Sequence, residues 1–248
     1  MHTQIIITRY NETIDWIDYI IDQADSIVIY NKGSNEELFK NYTPEPYKME
    51  KIKIIKLPNI GRIDHTLVYH ILENWDNLPE ILVSLPASIL MCYRKGAYLS
   101  AMRKKLPYTK DYFGGFYSPR FSIVPRDYNY TIDNYQAEGK CNRNENKFVK
   151  SEFKDFQTWK ESIIDSRPMR YIAKRGMFSV CKENIKHISK DIYYNLLASL
   201  SVGDNIENGH FAERIWAHLF RQYSFDIVKM GSIKSVQQCD TQNTDEVS

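Results

Sequence analysis

The chain has 248 residues, 43% of them hydrophobic and 26% charged, enough apolar material to bury a core and too much for a disordered chain. Its length suits one large domain, because single cores stop growing only beyond roughly 250 residues. With 33 basic and 31 acidic residues the net charge is +2, which excludes the basic field of a nonspecific nucleic-acid binder and favours a small or neutral partner.

The first hundred residues alternate strand and helix signals. Ile5 to Thr8 reads as a short buried strand, and Ile14, Ile17, Tyr19, Ile20 and Ile21 recur at helical spacing behind Asn11 and Thr13 as caps. Ser26 to Tyr30 is a second strand, closed by the turn Asn31-Lys32-Gly33. Lys51 to Leu57 is a third, stopped by Pro58. His65 to Trp75 fits a helix with Leu67, Val68, Ile71, Leu72 and Trp75 on one face, and Ile81 to Ser84 gives a fourth strand. Tyr93 to Lys105 predicts a basic helix. This βαβ rhythm implies a mostly parallel sheet flanked by helices, whose ligands bind beyond the carboxyl ends of the strands. From Lys110 to Arg167 glycines and prolines punctuate aromatic runs, and the polar stretch 127–147 reads as a long loop after strands. Helical periodicity returns at Lys182 to Leu200 and at Asn208 to Tyr223. Residues 235–248 read as a disordered tail.

The longest apolar stretches fall far short of the roughly 20 residues needed to cross a bilayer, and no secretory signal follows Met1. A cytoplasmic protein is expected, with peripheral membrane contact left open and no nucleic-acid partner. The 4 cysteines have neither CxxC nor zinc-ligand spacing, so separate thiols are expected. The 18 tyrosines crowd polar loops, which fits a carbohydrate-facing surface as well as a mere compositional bias.

Four segments could carry chemistry. Thr8, Arg9, Tyr10, Asn11 and Glu12 leave the first strand as a charged, amide-rich loop able to bond a base or ribose, or Asn11 simply caps a helix. Asn59-Ile60-Gly61-Arg62 with Asp64-His65 leads from the third strand into a helix. There Gly61 permits close backbone approach, and Arg62 offers forked donors to a phosphate beside free helix amides. The segment is not a GxGxxG fingerprint, and a salt bridge is the alternative for Arg62. Ser84, Pro86 and Ser88 end the fourth strand, followed by Arg94 and Lys95, a lysine suited to neutralising a leaving group; a plain turn before a solvated basic helix face is the alternative. In the last segment, a helix beginning near Asn208 places His210, Glu213 and Arg214 on one side, which gives a base, its partner and a cation, or simply an N-terminal Glu satisfying the helix dipole.

Together the strings ITRYNETIDWI, VIYNKG, LPNIGRIDHTLVYHILENWDNLPEIL, RGMFSVCKENI and NGHFAERIWAHLF resemble the blocks of a largely uncharacterised family whose better-understood relatives are the small GT-A-type glycosyltransferases of large algal viruses. Gly61-Arg62, His65-Thr66 and Tyr69 followed by Leu78-Pro79, and His210, Glu213-Arg214, Trp216 and Phe220, are the most specific. The resemblance implies a single GT-A-like domain over 1–234, Rossmann-like and mixed but mostly parallel, with a nucleotide-sugar-binding half at 1–106 and an acceptor-side half at 107–234. It implies transfer of a hexose or deoxyhexose from a nucleoside-diphosphate sugar, a UDP-sugar by preference, to a saccharide in glycan or surface polysaccharide synthesis. Thr8, Arg9, Tyr10, Asn11 and Tyr30, Asn31 and Lys32 would hold the nucleoside. Asn59, Gly61, Arg62, His65, Ser84, Pro86, Ser88 and Lys95 would lie along the donor, and His210, Glu213 and Arg214 at the sugar or acceptor side as catalytic residues.

The sequence departs from many GT-A enzymes in having no DxD motif. Chemistry without a required metal, with Arg62, Arg94 and Lys95 stabilising the leaving diphosphate, is preferred; Mn2+ or Mg2+ held through Asp64 or Asp76 is the alternative. Two other classes compete. One is a noncatalytic carbohydrate- or nucleotide-binding protein, the other a nucleotidyltransferase; the missing P-loop speaks against kinases and ATPases of that type.

Overall fold

The computed structural model describes residues 2–34, 38–90, 114–115, 128–132, 148–169, 172 and 176–220. They form a mixed α/β domain around a six-stranded sheet: β1 (Thr3–Arg9), β2 (Ser26–Asn31), β3 (Ile52–Lys56), β4 (Ile81–Pro86), β5 (Gly114–Gly115) and β6 (Phe178–Cys181), in the spatial order β3-β2-β1-β4-β6-β5. The helices are α1 (Pro46–Met49), α2 (Arg62–Glu73), α3 (Phe156–Ile163), α4 (Lys182–Lys186), α5 (Lys190–Leu200) and α6 (Glu207–Leu219). Strands β1 to β4 run parallel, and β6 is antiparallel to both β4 and β5. The isoleucine-rich β1 and β2 lie in the middle of the parallel part, buried on both faces, which is why they read as unbroken apolar runs. Strand order reverses between β1 and β4, so the crevice of this sheet opens at the carboxyl ends of those two strands.

Side-chain alternation divides the core. Ile6, Val28, Tyr30, Leu82, Phe178 and Val180 face α2, α3, α5 and α6. Ile5, Ile7, Ile27, Ile29, Val83 and Leu85 face the segment Ile14 to Ala24. That segment is not the expected α-helix but two 3-10 turns, Asp15–Tyr19 and Ile21–Gln23. Its bonds run from Ile17 N to Ile14 O, Ile20 N to Ile17 O and Gln23 N to Ile20 O, each 2.9 Å. Ile14, Ile17 and Ile20 therefore stack at three residues per turn along one edge and are all fully buried. The leading N–H, of Ile14, goes to Leu38 O at 3.0 Å and not to an Asn11 or Thr13 cap.

Three further expectations are corrected. The helical run from Lys182 is two helices, because Ser189 stops the first and caps the second through Asp191 N. Helix α3 and strand β6 lie where no regular element was expected. Helix α3 is started by a capping box in which Asp155 and Thr158 bond reciprocally, and β6 by the antiparallel pairing of Ser84 with Phe178. The predicted helix from Tyr93 to Lys105, the stretch 133–147, the tail 235–248 and Cys92, Cys141 and Cys239 lie outside the described residues. Among the described residues no helix is long and apolar enough to cross a membrane.

Candidate functional site

Helix α2 begins directly beyond the carboxyl end of β3, and its entry is built from two consecutive left-handed residues. Gly61 has φ +60°, and a side chain there would bring a Cβ within 2.4 Å of the Leu200 carbonyl. Arg62 has φ 56° and is the one non-glycine residue with positive φ among those described. A bulky side chain in that region costs on the order of 1 to 2 kcal/mol, and such strain persists only where neighbouring groups over-determine it. Lys32 supplies part of that constraint. Its ammonium lies beneath the turn and donates to the Ile60 and Arg62 carbonyls, 2.5 Å each.

The strained turn carries the Arg62 side chain across Gly209 of α6, where a Cβ would stand 3.2 Å from the arginine Cδ. Arg62 Nη1 then meets His210 Nε2 at 2.7 Å, and Nη2 lies 4.0 Å from Glu213 Oε1. The second and fourth sequence segments thus converge on one guanidinium. Because Arg62 can only donate, His210 is a neutral ring accepting at Nε2. Burial, then Arg62, then Arg214 hold its titration down at about 3. His210 therefore acts on Arg62 and, in this arrangement, its Nε2 lone pair is not available as a base. Glu213 is only partly covered, with 18% of its side chain exposed beside 24% for Arg62, so both side chains reach solvent at the rim. Arg214 points the other way: it is buried, donates to the His210 carbonyl, and lies 3.5 Å over the Tyr130 ring.

Behind the rim, α2 and α6 meet a second time. Asp64, 1% exposed, accepts from the Trp216 indole N–H at 2.6 Å through Oδ1, while its Oδ2 has no hydrogen-bond partner. Burial first, and Glu213 second, push its carboxyl well above the usual carboxylate range. Burial brings Lys32 down to about 7, with Asp64 opposing, and His65 down to about 4, with Lys32 adding to the fall.

The first segment is arranged differently. Arg9 is fully buried, and its guanidinium donates to Glu12 O (2.7 Å), Tyr10 O (3.0 Å), Asn31 Oδ1 (2.8 Å) and the Ser34 carbonyl. Asn31 closes the same network by accepting from Gly33 N and donating to Ser34 O, and Asn11 accepts from Ser34 N. The loops after β1 and β2 are thereby fastened together, so closely that a Cβ on Gly33 would lie 1.8 Å from Tyr10 O. Arg9 and Asn31 are builders of this rim, and Tyr10, 47% exposed, is the side chain it presents. Asn59 and Gly61 direct their donors to the turn at Asp204 and Gly203.

Thr8, Tyr30 and Ser84 face α2. Tyr30 OH pairs with His70 Nδ1 at 2.8 Å within the core, His65 stacks on Tyr69, and the Thr8 and Ser84 hydroxyls are buried without partners. Pro86 ends β4 and Ser88 lies in the 3-10 turn Ala87–Leu90 that follows, both half-buried. Lys95 lies outside the described residues.

The alternative metal ligands do not fit. Asp64 is sealed against Trp216. Asp76 lies beyond the opposite end of α2, which runs about 14 Å from Asp64 to its last residue at 1.5 Å per residue, and pairs with Lys186 at 3.8 Å. Among the described residues no three acidic, histidine or cysteine side chains form a cluster able to hold a metal ion.

Gly209 and Glu207 belong to the site's framework and carried no signal of it, while Trp216 stands out in the sequence only as part of the block that carries the resemblance. Glu207 is buried at the start of α6 and accepts from Ile132 N (2.6 Å) and Ser151 N (3.0 Å). Searches against protein-family models and against curated proteins return no match to this chain.

Proposed function

We propose that the chain is a nucleotide-sugar-dependent glycosyltransferase with a GT-A-like fold, moving a sugar from a nucleoside-diphosphate sugar, a UDP-sugar by preference, to a saccharide hydroxyl. The observation that carries this reading is the convergence of Arg62, His210 and Glu213 at the carboxyl rim of a mostly parallel sheet. A forked cation with a carboxylate beside it suits a reaction in which a diphosphate leaves while a hydroxyl gives up its proton. Glu213 takes that proton, the acceptor oxygen attacks the anomeric carbon, and the bond to the diphosphate oxygen breaks. Arg62, with Lys95 as its partner in the sequence reading, stabilises the charge that develops on the leaving group. His210 keeps the guanidinium aimed, and the fastened loops carrying Tyr10 and Asn11 supply a firm wall for the nucleoside. The divalent-cation alternative enters no step.

Titration calorimetry of the full chain with UDP, GDP and CMP, with and without manganese, tests the reading. It expects micromolar binding of one nucleotide and loss of that binding in Arg62→Ala. Glu213→Gln should lower transfer by roughly 100-fold or more and leave donor affinity within about twofold. Binding without transfer across an acceptor panel would move the assignment to a noncatalytic binding protein, and no nucleotide binding at all would overturn it.

A further inference from the structure

The strained turn at Arg62 raises the question of what keeps it in place, since the rim contacts lie at the exposed end of the side chain. Of the ties that cross from α2 to α6, two hydrogen bonds differ sharply in burial. The outer one, Arg62 to His210, is partly solvated. The inner one, Asp64 to Trp216, is fully buried. The indole cannot easily follow a moving partner: it stacks on Phe220 (5.4 Å between centroids, 16° between planes) and leans on Phe178 at 6.1 Å, itself in β6 of the sheet. Trp216 is thus a donor fixed to the core, and Asp64, two residues after Arg62, is the point where α2 is held to it. A buried carboxyl with one oxygen lacking a partner is an expensive choice for a helix whose other inward residues include Leu67, Val68 and Ile71. Packing alone calls for an apolar residue there.

We propose that Asp64 is a positioning residue for the rim: its bond to the Trp216 indole registers α2 against α6 and so holds Arg62 in the left-handed backbone that carries its guanidinium to His210 and Glu213. Lys32, bonded to the Ile60 and Arg62 carbonyls, fixes the same turn from the sheet side. The assignment deepens the proposed function, whose anion-holding arginine it places, yet the geometry it describes exists without any ligand.

The first readout therefore needs no ligand. The His210 ring is titrated by NMR in the wild-type chain and in Asp64→Asn, Asp64→Leu and Trp216→Phe, with His210→Gln identifying its signal. In the wild type the ring stays neutral far below the ordinary histidine range, to about 3. Trp216→Phe and Asp64→Leu, which break the tie, should release Arg62 and raise that midpoint by about one unit or more, whereas Asp64→Asn, which keeps an acceptor for the indole, should hold it. The same two variants should bind inorganic pyrophosphate roughly tenfold more weakly while Asp64→Asn stays within about twofold. If Asp64→Leu does not fold, Trp216→Phe decides alone. A folded Trp216→Phe with an unmoved His210 midpoint overturns the assignment, whatever nucleotides do. A raised midpoint in a chain that binds no nucleotide keeps the assignment and removes the glycosyltransferase reading.

Discussion

The two faces of the sheet handle polarity to different degrees. On the face covered by the 3-10 turns, isoleucines fill the interior, and the polar side chains at the strand ends, Arg9 and Asn31, bond to each other and to loop carbonyls. On the face covered by α2 and α6, buried polar atoms lack partners: Thr8 Oγ1, Asp64 Oδ2, His65 Nδ1, His70 Nε2 and Ser84 Oγ. The only left-handed non-glycine backbone among the described residues is on this side as well. The first face leaves one such strand atom, Ser179 Oγ, which pairs in register with Val83, whereas the second gathers several together with backbone strain next to a solvent-facing cation. Groups of that kind cost stability, and they collect where a protein binds or reacts.

The largest effect that would sharpen this contrast is at Arg9. Arg9→Met leaves Asn31 Oδ1 and the loop carbonyls without their buried donor, and should lower stability by about 3 kcal/mol in urea denaturation. A loss below about 1 kcal/mol would show that the scaffold face does not depend on its hydrogen-bond closure.

Next comes the pH response of the other face. Burial holds His65 and His70 neutral down to about 4, as it does His210 to about 3, against 6.5 for an ordinary ring. Below pH 6.5 the unfolded chain takes up protons that these rings refuse, so their contribution is complete above 6.5 and is lost as pH falls towards 4. Asp64, protonated more readily when folded, opposes the loss with a single site. His70→Gln, which keeps a partner for the Tyr30 hydroxyl, should make the fall shallower by up to roughly 1.4 kcal/mol per pH unit in that window. Urea midpoints between pH 4.5 and 7.5 measure it, and an unchanged slope would mean that His70 titrates alike in both states.

The smallest effect isolates the strain. Arg62→Gly and Arg62→Ala both remove the guanidinium and differ in whether the backbone tolerates φ 56°. The glycine variant should be the more stable by about 1 kcal/mol. Equal stabilities would show that the turn relaxes once the side chain is gone.

The parallel strands were legible in the sequence because doubly buried strands appear as apolar runs, as Ile5 to Ile7 and Ser26 to Tyr30 do. The segment after Asn11 was misread because Ile14, Ile17, Ile20 and Ile21 satisfy both a three-residue and a 3.6-residue period, and only the bonding pattern distinguishes them. Strand β6 escaped notice for another reason: four residues paired antiparallel to a distant strand have no period long enough to register. At the site, Arg62 and the pair His210 and Glu213 were each recognisable from their chemistry, while their meeting across 148 residues, like the Asp64–Trp216 bond across 152, is a property of the packing. Arg9 shows the converse, since a residue whose type and place suit a ligand is consumed in building the loop that holds others.

Glu207 has a consequence for how this fold can vary. Its two carboxylate oxygens hold the backbone at Ile132 and at Ser151, so the chain leaves and re-enters the α6 framework at a fixed neck. With the ends of the intervening stretch secured, doubling its length adds only about 0.6 kcal/mol of closure entropy. The tolerance for length at this neck therefore comes from Glu207 itself, which bonds the backbone on both sides of it at the start of α6.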